Sequence, residues 1–249
     1  MNSKFSLKSI SLKSLVLSAA LVLGLVSFAG VASAQGGPDI FVTPIPNAPF
    51  SAMITVERSI VQRNGGLMNL KTIREIGRDN QGRVHNEARM LMPQSDGKTP
   101  AIVSIHLYDP VSRTTAYLNP QQKTYTTGVV NHPPATEPPN AYASPSGNSL
   151  PLSQFARQED LGTRDIEGQQ AHGVRITQTI PAESSGMGRE VVTVDEYWYS
   201  DDLHINLEMK HSDPRTGSVT MTVSQVNRAE PDASFFEVPP DYKPAAPRQ

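Results

Sequence analysis

Carboxylates cluster most densely at the end of one predicted strand. Asp195, Glu196, Asp201 and Asp202 stand within eight residues of one another. Paired carboxylates can act as general acid and general base, and oxygen ligands of this kind can hold Ca²⁺. The same residues also suit a solvated strand edge followed by a turn, which requires no chemistry. We favour the strand edge and keep a carboxylate-dependent hydrolase as an alternative.

The histidines are spread along the chain without the short spacing that places two metal ligands on one element. They are His85, His106, His132, His172, His204 and His211. The sequence also lacks a Gly-x-Ser-x-Gly elbow, a phosphate-binding glycine loop and a His-Glu-x-x-His motif. We therefore assign no catalytic residue, no metal ligand and no cofactor, and the sequence favours a protein that is not an enzyme.

The most distinctive aromatic group is Tyr197-Trp198-Tyr199, which contains the single tryptophan. Alternation along a strand puts Tyr197 and Tyr199 on one face of a sheet and Trp198 on the other. Met209 and Met221, in the two strands that follow, have flexible thioethers that suit an adaptable apolar surface. Packing in an ordinary core explains all five side chains. The hypothesis that goes beyond packing is that they contact an apolar ligand.

Alternating apolar residues predict a mainly β protein. Phe50, Ala52, Ile54 and Val56 alternate with mostly polar residues, and two later segments, 205–209 and 219–223, do the same. About ten or eleven such strands are predicted, with no convincing long helix. A sheet of that size must curl or close to cover its apolar face. We predict a large curved antiparallel sheet or open half-barrel with little helix and a long proline-rich loop.

Three tight turns share one device. Asp109-Pro110, Asn119-Pro120 and Asp213-Pro214 each place an Asx side chain before a proline. The Asx side chain can accept a hydrogen bond from the backbone two residues on, and proline presets φ for a type I turn. This turn chemistry accounts for the aspartates without a catalytic role.

The N-terminus predicts export. Lys4, Lys8 and Lys13 precede an apolar run from Leu15 to Val31, and Ala32-Ser33-Ala34 is an A-x-A cleavage motif. A membrane anchor is the alternative, since the run approaches the length that spans a bilayer. Cleavage after Ala34 predicts a periplasmic or extracellular protein with no remaining membrane span.

The mature chain is predicted to contain one domain. We expect a signal peptide at 1–34, an extended leader at 35–49, a single antiparallel β domain at 50–242 and a disordered tail at 243–249. Within the domain, 128–158 is predicted to be a long loop with a possible short helix.

Composition excludes several classes of partner and site. The chain has no cysteine, which excludes disulfides, a thiol nucleophile and cysteine-based zinc sites. Removing the three lysines of the signal changes the formal net charge from −2 to −5. Nucleic acid is therefore not an expected partner, because phosphate binding needs clustered positive charge.

The second half of the chain resembles a family of uncharacterised secreted bacterial proteins. The resemblance covers mainly residues 159–242. It rests on Leu161-Gly162, Ile166-Glu167-Gly168, Glu196-x-Trp198-Tyr199-Ser200, Ser212-Asp213-Pro214-Arg215-x-Gly217 and Phe235-x-Glu237-Val238-Pro239-x-Asp241-Tyr242. It implies no particular activity.

A more distant resemblance is to the half-barrel of outer-membrane lipoprotein carriers and of the sensor domain of periplasmic sigma-factor regulators. It rests on the Tyr108-Asp109-Pro110 turn and on the terminal Phe236-x-x-Pro239 element. The resemblance implies a curved antiparallel sheet around an apolar cavity that takes acyl chains. Our leading hypothesis is a non-enzymatic protein that binds a lipid or another apolar ligand. The alternative is an envelope-sensing module that docks a protein partner through the 128–151 loop or an exposed strand edge.

Overall fold

A computed structural model describes residues 40–93, 97–131 and 154–246 of the chain. Strands dominate these ranges, with one short helix, α1 (Ala182–Ser185), and a 3-10 helix at Ala233–Phe236. The strands are β1 (Phe50–Val61), β2 (Leu67–Arg78), β3 (Val84–Arg89), β4 (Met92–Pro93), β5 (Ile102–Asp109), β6 (Thr114–Asn119), β7 (Thr124–Val129), β8 (Ala156–Ile166), β9 (Gln169–Ile180), β10 (Val191–Ser200), β11 (Ile205–Asp213), β12 (Gly217–Asn227) and β13 (Lys243–Pro244).

All these strands belong to one sheet. Its order is β13-β7-β6-β5-β3-β2-β1-β12-β11-β10-β9-β8, and β4 pairs with β2 beside this path. Every pairing is antiparallel except that of β13 with β7. The sheet remains open, since β13 and β8 lie at its two edges. The predicted fold class, a large open antiparallel sheet with little helix, is confirmed.

The main core lies on one face of the sheet, which we call the inner face. Cross-strand register places Ile54 of β1 beside Arg74 of β2 and beside Val223 of β12 on this face. The alternate residues of β1, β11 and β12 are buried there, as the period-two pattern of the sequence requires. These buried side chains form one continuous cluster with aliphatic residues from β2, β3 and β9.

A second, smaller cluster lies on the outer face of β5, β6 and β7. Leu107, Ala116 and Leu118 are buried there beneath Val238 and Tyr242 of the C-terminal segment. The 3-10 helix extends this cover, because the Phe235 ring stacks on His85 with centroids 3.8 Å apart. A Cβ at residue 77 would lie 2.7 Å from the Phe235 ring, so this approach requires glycine.

Residues 40–49, predicted as part of an extended leader, contain no strand or helix before Phe50. Ile40 and Val42 are nevertheless buried in the main core. They are held there by Arg78, a fully buried guanidinium at the end of β2. Its Nε donates to the Ala48 carbonyl at 2.8 Å and its Nη1 to the Thr43 carbonyl at 2.6 Å.

Arg78 also reaches the far half of the sheet. Its Nη2 donates to the Leu203 carbonyl, in the β10–β11 turn, at 2.8 Å, and its Cζ lies 5.1 Å from the centroid of the Phe50 ring. Burial lowers the pKa of Arg78 to about 10, so the guanidinium is still charged at neutral pH. One side chain thus joins residues 43–48, β2 and the β10–β11 turn.

The three predicted Asx-Pro turns are present. Asp109 Oδ1 accepts from the Val111 amide at 2.8 Å, and Asp213 Oδ1 accepts from the Arg215 amide at 2.8 Å. Asn119 Oδ1 accepts from the Gln122 amide at 3.0 Å. These aspartates are therefore occupied in shaping the chain.

Several predicted segments fall partly outside the described residues. The signal peptide at 1–34 lies wholly outside them. The loop predicted at 128–158 is bounded by β7, which ends at Val129, and by β8, which begins at Ala156, while 132–153 lie outside. Of the tail predicted from residue 243, Lys243–Pro244 forms β13, and 247–249 lie outside.

His106 is a neutral, half-buried histidine on the inner face. Its Nε2 lies 2.6 Å from the Thr115 hydroxyl, and its ring stacks on Tyr117 at 4.4 Å. That hydroxyl donates to the Leu107 carbonyl at 3.2 Å, so it accepts from a protonated Nε2. Burial lowers the pKa of His106 to about 4. The folded protein therefore resists protonation of this ring more than the unfolded chain does.

We predict that replacing Arg78 severely destabilises the fold. Arg78→Met leaves three buried carbonyl acceptors without their donor, at about 1–3 kcal/mol each, so we expect a loss of at least roughly 3 kcal/mol. Urea unfolding, monitored by tryptophan fluorescence, measures this loss of stability. Arg157→Met, at an exposed position of β8, is the control and should change stability by less than about 0.5 kcal/mol. Equal midpoints for the two variants would contradict the role of Arg78.

We predict that His106 makes the fold sensitive to acid. Its pKa is lower in the folded state than in the unfolded chain, so its neutral form contributes stability that is complete above about pH 6.5 and is lost as the pH falls towards 4. His106→Phe keeps a ring against Tyr117 but cannot titrate. When the pH falls from 7 to 4, the unfolding free energy of the wild type should decrease by about 3 kcal/mol more than that of the variant. A difference that stays constant with pH would disprove this assignment.

Candidate functional site

Three of the five residues proposed to contact a ligand form one row across the inner face. Tyr197 of β10 pairs with Met209 of β11, which pairs with Met221 of β12. The row continues through Val56 of β1 to Thr72 of β2. All five members of the row are buried. Adjacent strands therefore bring the two methionines and the tyrosine together.

The other two proposed residues lie elsewhere. Trp198 points to the outer face, where the Arg164 guanidinium lies 3.8 Å from its ring centroid. Its ring packs directly on Gly173, where a Cβ would come within 2.6 Å of it. Tyr199 is buried on the inner face and interacts electrostatically with Arg78. Trp198 and Tyr199 thus pack against structural neighbours rather than beside the methionine row.

The next row of the inner face is only half-buried at most positions. It runs from Asp195 through His211, Val219 and Arg58 to Leu70, and of these only Val219 is buried. One step further out, Met68 opposes Ile60. Met68 is 37% exposed and the adjacent Leu67 is 64% exposed. We call the apolar positions Ile60, Met68 and Leu70 the lip.

The lip was missed at the sequence level, although a signal for it exists. The alternation of β2 that buries Thr72, Arg74 and Ile76 continues backwards through Leu70 and Met68. These two apolar positions lie beyond the buried part of β2. The apolar inner face therefore extends from a packed end at Arg78 to an exposed end at the lip.

The acidic cluster does not assemble into a catalytic pair. Asp195 lies on the inner face, where its Oδ1 is 2.7 Å from His211 Nδ1. Glu196 lies on the outer face and accepts from Arg175 Nε at 2.8 Å. Asp201 and Asp202 are exposed in the β10–β11 turn. Among the described residues, no group of three histidines and carboxylates lies close enough to hold a metal ion.

A cleft of about 300 Å³ opens beside β2. The strand supplies one wall, and β4 with the 97–100 segment supplies the others. Its lining residues are Lys71, Thr72, Ile73, Met92, Pro93, Gly97, Lys98, Thr99 and Pro100. The cleft adjoins the buried row at Thr72. It lies along the hydrogen-bonding edge of β2 that faces β4, not on a face of the sheet.

No family model and no curated protein matches the chain. In the described ranges, no helix is both long enough and apolar enough to cross a membrane. Solved structures with a similar arrangement include MucB, at a TM-score of 0.40 and 13% identity over 80% of this chain. The match spans 60% of the length of the MucB structure.

Two further similar structures are lipoprotein LppX from Mycobacterium tuberculosis and a LolA-superfamily protein from Nitrosomonas europaea. LppX has a TM-score of 0.30 and 13% identity, with 72% of this chain and 87% of LppX covered. The LolA-superfamily protein has a TM-score of 0.31 and 7% identity, with 78% and 92% covered. These neighbours match the distant resemblance that the sequence analysis identified.

Proposed function

We propose that this protein is a non-enzymatic binder of a lipid or another apolar ligand, which lies on the inner face of the curved sheet at the lip. The gradient of burial along that face carries the proposal. The same strands bury their inward side chains near Arg78 and leave the inward side chain of Met68 37% exposed. Apolar side chains exposed together on a soluble domain favour a binding surface.

The composition of the face suits a flexible apolar chain. Met209 and Met221 lie side by side beneath the half-buried row. Thioether side chains are flexible and adapt to irregular apolar partners. Both methionines are buried. A ligand would therefore contact the lip first and would reach the methionines only by displacing neighbouring side chains.

The polar residues beside the lip suit the head of an amphiphile. His211 and Asp195 form a hydrogen-bonded pair at 2.7 Å, each about a quarter exposed, and Arg58 lies in the same row. A molecule with an apolar tail on the lip would place its polar end near these groups. An exported protein, as the signal sequence predicts, would meet such amphiphiles in the cell envelope.

An envelope-sensing module remains the second candidate, but the described edge strand gives it little support. β8 pairs with β9 alone and is therefore an edge. It has a bulge between Asp160 and Gly162 and charged side chains along its length. Bulges and charges are the devices that prevent strand addition at an edge. The other proposed docking segment, 128–151, lies mostly outside the described residues.

We predict that polar substitutions at the lip weaken ligand binding without unfolding the protein. In the double variant Met68→Gln/Leu70→Gln, affinity for a fluorescent fatty acid should fall about tenfold, because roughly 1–2 kcal/mol of apolar contact is lost. Val192→Gln is the matched control. Val192 is 39% exposed, close to the 37% of Met68, but lies on the outer face. The affinity of the Val192→Gln variant for the fluorescent fatty acid should match that of the wild type.

Native mass spectrometry of the protein purified from its secreting host provides the second measurement. We expect an additional mass that lipid extraction removes, and less of it in the lip variant than in the control. A protein that carries no such mass and takes up no fluorescent fatty acid would exclude the proposal. Equal losses in the lip and control variants would exclude the lip as the site.

A further inference from the structure

The cleft beside β2 is a gap in the sheet. β3 pairs with β2 only at residues 76–78, and β4 pairs with it only at residues 70–71. No strand within the described residues pairs with positions 72–75 on that side. Part of this gap is filled by Glu87, whose Oε2 accepts from the Glu75 amide at 3.2 Å and from Arg89 Nε at 2.8 Å. The remaining part is the cleft.

The backbone of Ile73 faces this gap. Glu75 turns its amide towards β3, and in an antiparallel ladder alternate residues turn their N–H and C=O groups to the same side. Ile73, two residues earlier, therefore turns both groups towards the cleft. The position of Pro93 agrees with this alternation. Pro93 opposes Leu70, whose backbone groups turn to the other side of β2, so the N–H that proline lacks is not needed in this pairing. The cleft thus offers one donor and one acceptor with the spacing of a β-ladder.

Two lysines define the polar character of the cleft. Lys98 is exposed and, within the described ranges, has no ion-pair partner, whereas Lys71 Nζ is already 3.0 Å from Glu57 Oε1. Among the described residues, the cleft therefore has one positive charge without an ion-pair partner.

Apolar groups form much of the rest of the wall. Met92, Pro93 and Pro100 line the cleft opposite the strand. Its volume of about 300 Å³ is at the lower limit for a small-molecule pocket. That space suits a few residues of an extended chain.

We propose that this cleft binds the end of an extended peptide that carries a free C-terminal carboxylate. The peptide backbone pairs with the N–H and C=O of Ile73, its carboxylate lies near Lys98, and an apolar side chain contacts Met92 and Pro100. Strand addition supplies affinity in such complexes, while the side pocket and the charge supply specificity. This inference does not depend on lipid binding, because the lip is formed by the inner face and the cleft by the side of β2.

Fluorescence anisotropy with a fluorescein-labelled Gly-Ser-Val-Thr-Val peptide tests the proposal on the full mature protein. The free acid should bind about two- to fivefold more tightly than the C-terminal amide, as an exposed ion pair implies, and high salt should reduce that ratio. Lys98→Gln should remove the difference. Lys71→Gln is the matched control, since its charge is already compensated, and should keep the difference.

Backbone pairing is tested on the peptide rather than on the protein. A backbone N-methylated peptide with a free carboxylate cannot donate to the Ile73 carbonyl, and its affinity should fall about tenfold. Equal binding of acid and amide, equal binding of the N-methylated peptide, or no binding of any peptide at millimolar concentration would overturn the proposal. Decanoate that displaces the peptide with equal affinity would replace it with a simple carboxylate site. The single lip variant Met68→Gln, which lies outside the pairing of β2 with β4, should not affect any of these peptide measurements, so failure here is distinguishable from failure of lipid binding.

Discussion

The buried guanidinium of Arg78 is the constraint on which the rest of the structure depends. A buried charge is tolerated only when hydrogen bonds replace the water that it has lost. Arg78 satisfies this condition with carbonyls from residues 43, 48 and 203, three points that are distant in the chain. Once these bonds form, residues 40–49, β2 and the β10–β11 turn are fixed relative to one another, and this end of the inner face is packed.

The opposite end of the same strands has no comparable clamp. At the lip, β1 and β2 continue as a hairpin whose inward side chains are only partly covered. The same strands thus have a packed end and a partly exposed end. The Tyr197–Met209–Met221 row is buried and lies between these two ends.

Much of the fold could be predicted from the sequence because strand alternation is a local signal. The inward positions of β1, β11 and β12, the opposite facing of Tyr197 and Trp198, and the Asx-Pro turns all follow from spacings of a few residues. The role of Arg78 could not be identified this way, because strand alternation does not distinguish it from any other polar residue. Its partners lie 30, 35 and 125 residues away. The same reason applies to Gly77 and Gly173, whose need for glycine comes from aromatic rings brought against them by distant parts of the chain.

The candidate sites were less predictable than the fold. Aromatic residues and methionines drew attention to the interior, where three of them do form a row, but the exposed lip is visible only when burial along β2 is known. The cleft depends on a missing pairing between β2 and its neighbours, and no residue pattern encodes the absence of a strand. Residue types thus identified part of the buried inner face, whereas the extent of that face required coordinates.

The C-terminal cover of the outer face has a consequence for the order in which the protein matures. Strands β1 to β7 are complete by residue 129, yet their outer cluster waits for residues 235–242, which also bring Phe235 onto His85. During synthesis this half of the sheet therefore cannot finish folding until residues 235–242 have emerged. Until then the apolar side chains of the outer cluster stay uncovered, and the first half of the sheet depends on the last segment for its final packing.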